Sequence, residues 1–112
     1  MKYYYNLYVS EDLIGKQEEI IRNLEEDKWQ LAKYLIVLAT NEKNHLEIFD
    51  SVLLLQKTIP KEDLFVVGIA GGRERAFELV EKITGEVYDE TGCINIRNYI
   101  LQKQSEYEKG NV

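Results

Sequence analysis

A chain of 112 residues is long enough for one domain with a buried core and too short for two. Apolar residues make up 45% and charged residues 30%, which is ordinary for a folded globular protein and excludes a disordered chain. Fourteen basic side chains face twenty acidic ones, and residues 1–40, 41–70 and 71–112 each carry −2 of the net −6, a field that repels a nucleic-acid backbone at long range and argues against such a partner.

The strongest apolar runs, Tyr34 to Ala39 and Val52 to Leu55, fall far short of the roughly 20 residues of a membrane helix, so no membrane segment is expected. The start of the chain offers Lys2, three tyrosines, Asn6, Glu11 and Asp12 where a secretory signal needs an unbroken aliphatic stretch. Cys93, the single cysteine, excludes an intramolecular disulfide and fits a reducing compartment. The expectation is one soluble, cytoplasmic domain spanning 1–112.

Tyr3 to Val9 is rich in residues that suit a pleated surface and reads as a strand with Tyr3, Tyr5, Leu7 and Val9 on one face. Ser10 stands as an N-cap, with Glu11 and Asp12 in the first turn of a helix that carries Leu13, Ile20, Ile21 and Leu24 inward and ends near Asp27. Tyr34 to Ala39 is apolar without alternation and reads as a central strand covered on both faces. After a polar loop at Asn41 to Asn44, residues 45–56 fit a helix capped by Asn44, with two short strands as the alternative reading. Leu64 to Ala70 is a second buried strand that ends on Gly71-Gly72. A helix follows, with Ala76, Val80, Ile83 and Val87 as its stripe and a left-handed stop at Thr91-Gly92. Asn95 caps a last helix that carries Ile96, Tyr99, Ile100 and Tyr107 and frays from Lys109 onward.

This order predicts an α/β sandwich of two or three layers with about three strands, mostly parallel, in the sequence β-α-β-(α or ββ)-β-α-α.

Two regions carry candidate functional residues. The strand-to-helix junction with Gly68, Gly71, Gly72, Arg73 and Arg75 has the makings of an anion site, because the first N–H groups of a helix are unpaired and glycine admits a ligand close to the backbone. Its spacing matches neither the dinucleotide fingerprint nor a Walker loop, and glycines there also serve plain turn and packing roles. Tyr3, Tyr4, Tyr5 and Tyr8 crowd one strand, and tyrosine's large rigid surface with a polar tip suits an interface. His45, the only histidine, stands near Glu47 and Asp50 as the one obvious proton carrier, without a recognisable nucleophile beside it. Cys93 has no second cysteine and no histidine at ligand spacing, and reads as a half-buried packing residue. No pattern calls for a metal or a cofactor.

The stretch Asp63 to Gly71, with Ala76, Glu78-Leu79-Val80, Glu86-Val87-Tyr88, Thr91-Gly92, Ile96-Arg97 and Tyr99, and earlier Asn41 to Asn44 with Leu46-Glu47-Ile48, resembles a group of small bacterial hypothetical proteins over about residues 33–101. The resemblance implies a bacterial origin and a recurrent fold. No activity is assigned to that group, so it implies no catalytic residue.

The residues therefore favour a binding or protein-interaction module that pairs with itself or with another protein. The alternative is a binder of a small anionic or phosphate-bearing ligand at Gly71-Gly72, and an enzyme using His45 ranks third.

Overall fold

The computed structural model describes residues 1–39 and 45–110. Four strands, β1 (Lys2–Val9), β2 (Tyr34–Leu38), β3 (Leu46–Asp50) and β4 (Phe65–Ala70), form one mixed sheet in the order β1-β4-β2-β3. Three helices, α1 (Gln17–Glu25), α2 (Arg73–Thr91) and α3 (Ile96–Gly110), cover its two faces. The α/β class stands, but two finer expectations do not. The sheet has four strands rather than three, and only β1 and β4 pair in parallel, while β2 runs antiparallel to both β3 and β4.

The extra strand comes from residues 45–56, where the helix expected from the sequence is absent. Leu46–Asp50 is β3, paired residue by residue with β2 in a hairpin, and Ser51–Leu55 is a single 3-10 segment. The apolar residues there satisfy both periods over so short a run. Pairing with β2, which is buried on both faces, tips the choice to strand. The expected cap Asn44 and the loop 41–44 lie outside the described residues.

The first helix is also shorter than its sequence suggests. Glu11–Leu13 is a 3-10 turn, the chain breaks at Gly15 in the left-handed region (φ 89°), and α1 begins at Gln17. Ser10 does not cap it. Its hydroxyl donates to Asp12 Oδ1 (2.6 Å) and accepts from the Gly71 N–H (3.0 Å). Lys61 closes the other end by donating to the Leu24 carbonyl and pairing with Asp27 at 2.6 Å, where a cation meets the helix dipole favourably.

The two layers of core follow from strand alternation. Leu35 and Val37 pack with Leu13, Ile20, Leu24, Leu54 and Leu64 on the α1 side, and Ile36 and Leu38 pack with Ala76, Leu79, Ile83, Val87, Ile96 and Ile100 under α2 and α3. Alternation fails at two places. Ile36 pairs with Gly68 but Val37 with Val66, a bulge that turns both Val67 and Gly68 toward α2. Between Tyr3 and Tyr8, five residue steps of β1 run against two of β4. Tyr5 thereby leaves the face it was expected to share with Tyr3, Leu7 and Val9, and stacks on Tyr107 of α3 with centroids 4.5 Å apart.

The later elements follow the sequence closely. Gly92 ends α2 at φ 74°, its N–H bonded to the Tyr88 carbonyl at 2.8 Å, and Asn95 Oδ1 accepts the Asn98 N–H at 3.2 Å. The last helix runs through Lys109 to Gly110, where fraying was expected to have begun. Cys93 is exposed rather than half-buried, because the left-handed turn at Gly92 directs the chain outward before α3 starts.

Candidate functional site

The sequence draws attention to the carboxyl end of β4 and to the tyrosines of β1. At the first, the glycine junction is filled by the protein itself. The Gly71 N–H is bonded to the Ser10 hydroxyl, and the Asp12 carboxylate lies so close that a Cβ on Gly71 would stand 1.9 Å from its Oδ2. Ser10 holds that carboxylate below the usual range by hydrogen bonding, burial opposes the shift, and Arg75 at 3.6 Å assists it. A negative charge already occupies the turn, so a phosphate there would meet repulsion.

The two arginines part company. Arg75 turns to Asp12 beside a small dent that also exposes Glu78 and Lys82, while Arg73 turns the other way, its guanidinium 5.7 Å from the Phe77 ring centroid. Gly68 is a packing glycine: a Cβ there would stand 3.1 Å from Leu79 Cδ2 and 3.3 Å from the Tyr8 carbonyl oxygen.

Three of the four tyrosines are drawn inward, while Tyr5 remains exposed. Tyr4 is buried, with Tyr8 stacked parallel to it at 6.3 Å and Tyr5 edge-on at 4.9 Å. Tyr3 donates to Glu25 Oε1 (2.8 Å) and Tyr99 to Glu90 Oε2 (2.9 Å). Burial, then the Glu90 carboxylate, pushes the Tyr99 hydroxyl up to about 12, and Tyr4 and Tyr8 rise further, Tyr8 by burial and by Glu86 beside it. Because Gln104 of α3 also accepts the Tyr5 N–H at 2.8 Å, this edge of the sheet is closed over by its own helix.

The opposite edge differs. Among the described residues β3 has no strand beyond it, and its pairing with β2 is regular. The Ala39 N–H donates to the His45 carbonyl and the Ser51 N–H to the Lys33 carbonyl, which makes 39:45, 37:47, 35:49 and 33:51 the hydrogen-bonded pairs of the hairpin. Leu46, Ile48 and Asp50 therefore point their backbone N–H groups away from β2, toward the outside. Their side chains line an open groove of about 620 Å³, closed along the other side by Arg73, Phe77 and Val80 of α2 and at one end by Tyr34. Phe77 is half exposed there.

No signal short of the strand order could have found this groove. It needs β4 inserted between β1 and β2, which leaves β3 outermost and sets α2 beside it. His45 immediately precedes β3, and Asp50, one of its expected partners, instead accepts the Val52 N–H at 3.0 Å and so starts the 3-10 segment.

Comparison with family models, with curated proteins and with solved structures finds no match.

Among the described residues no cluster of His, Cys, Asp and Glu could hold a metal ion, and no helix is long and apolar enough to cross a membrane. Among the described residues, the open β3 edge combines outward backbone hydrogen-bonding groups with an apolar groove.

Proposed function

We propose that this chain is a non-catalytic protein-interaction module that takes an extended segment along the outer edge of β3. The single observation that supports the reading is the coincidence of outward-pointing backbone groups at Leu46, Ile48 and Asp50 with the groove lined by Phe77 and Val80. Strand addition works through this combination: main-chain hydrogen bonds supply affinity, and a pocket for alternate side chains supplies selectivity. Natural sheets guard their edges with lysine, proline, bulges or a covering element. β1 is guarded by its bulge and by Gln104, whereas β3, Leu-Glu-Ile-Phe-Asp, carries no lysine, proline or bulge, and its guards are its five-residue length and the Glu47 and Asp50 carboxylates.

Selection of displayed random peptides against the purified chain tests this. Recovered peptides should alternate apolar residues with a period of two, and Phe77→Ala should weaken them about tenfold, the usual cost of losing an aromatic anchor. Peptides without that period, or indifferent to Phe77→Ala, would remove the support.

A further inference from the structure

We infer that the segment seated on β3 is β3 of a second copy, paired antiparallel about a two-fold axis through Ile48. This rests on the docking reading above and names its partner.

The backbone sets the allowed registers. Leu46, Ile48 and Asp50 alone turn their N–H groups outward within the strand, so a new antiparallel neighbour must meet these residues as hydrogen-bonded pairs. Two copies can then be matched in few ways. Centring on Ile48 sets Ile48 against Ile48 and Leu46 against Asp50, and uses the whole of both strands. A slip one way sets Glu47 against Glu47, like charges directly opposite, which is destabilising. A slip the other way pushes Leu46 past the strand and against the 3-10 segment at Ser51–Leu55. The Ile48 register pairs Glu47 with Phe49 and Asp50 with Leu46, so no two charges of one sign face each other.

The groove fits the same axis. Leu46, Ile48 and Asp50 share the α2 face, and Phe77 and Val80 flank them. The two-fold places the Leu46 and Ile48 side chains of both copies side by side on the floor of one continuous cleft, walled by the two α2 helices with a Phe77 ring on each. An eight-stranded sheet with both outer ends formed by guarded β1 edges results, which closes the assembly at two copies.

Two five-residue edges and the apolar strip beside them make a small contact, and stable interfaces usually bury about 1,200 Å² or more. Each copy also carries −6. The dimer should therefore be concentration dependent, and added salt, by screening that repulsion, should strengthen it.

Sedimentation velocity over protein concentrations from about 1 µM to about 1 mM, a span in which a weak contact changes state, is the test. Wild type should pass from monomer to dimer, more readily at higher salt, and Ile48→Lys, which sets two ammonium groups at the axis, should lower the association constant about tenfold or more. Disulfide trapping in a Cys93→Ser background fixes the register. Ile48→Cys should link to itself across the axis, whereas Leu46→Cys should not, since its own counterpart lies about 13 Å away along the strands, beyond disulfide reach. A chain monomeric throughout, or Leu46→Cys linking as readily as Ile48→Cys, overturns the inference. If that monomer still binds period-two peptides through Phe77, self-pairing alone falls. If it binds none, the docking reading falls with it.

Discussion

The Asp12 carboxylate lies over Gly71 so closely that a Cβ there would meet Oδ2 at 1.9 Å. Asp12 is also held by the Ser10 hydroxyl and by Arg75, so it cannot move aside without losing those partners. Gly71→Ala should cost about 1 kcal/mol, the usual worth of the Ser10 hydrogen bond that Asp12 gives up in moving aside. Asp12→Ala should recover most of that loss in the double variant, since the two residues touch and their effects should not add. Urea titration of the four chains in this cycle checks it.

The same carboxylate makes stability depend on acid. Its pKa is depressed on folding, chiefly by Ser10, so the stabilisation is complete above the unfolded value of 3.8 and is lost as pH falls through the lower folded value. Denaturation midpoints measured below pH 4 should drop less steeply for Ser10→Ala than for wild type.

The tyrosine cluster acts at the other end of the scale. Tyr4, Tyr8 and Tyr99 all have hydroxyls raised by burial above the ordinary 10.0, Tyr99 to about 12. Stability from a raised group is complete below the unfolded value and declines as pH rises toward the folded one. Thermal melts should therefore fall steadily above pH 10. Tyr99→Phe, which removes one such hydroxyl and its bond to Glu90, should flatten that decline.

Gly68 is sealed by Leu79, Tyr8 and Ile36. Gly68→Ala should destabilise by about 1–3 kcal/mol, and Leu79→Ala in the same chain should offset part of it by vacating the space. Equal costs with and without Leu79→Ala would show that the contact does not set the position.

Trp29 is 62% exposed, beside Gln30, whose buried amide donates to the Ile20 carbonyl at 3.3 Å and anchors the loop. As the single tryptophan it should emit close to free tryptophan in water and shift little on unfolding. A blue-shifted native emission would contradict that exposure.

Much of the local structure was legible in the sequence because it depends on short-range chemistry. Gly92 stops α2 since only a left-handed turn fits there, Asn95 caps α3, and the unbroken apolar run at Tyr34 to Ala39 marks a strand buried on both faces. Residues 45–56 were not legible, since five apolar-rich residues satisfy a helical and a strand period alike and only a neighbour decides. The anion site suggested by Gly71-Gly72 was read from the right turn, but the sequence does not reveal that Asp12, 59 positions earlier, fills it.

What the sequence determined by itself is the class and its pieces: the α/β mixture, three of the four strands, the two long helices and their caps, all from periodicity and end chemistry within a few residues. What only the tertiary structure decided is which strand lies where. β4 enters between β1 and β2, a long-range pairing that no local pattern encodes, and this leaves β1 as an edge closed by α3 and β3 as an edge left open beside Phe77. Backbone hydrogen-bonding capacity is the same for every strand, so its exposure is a property of order in the sheet rather than of residue type.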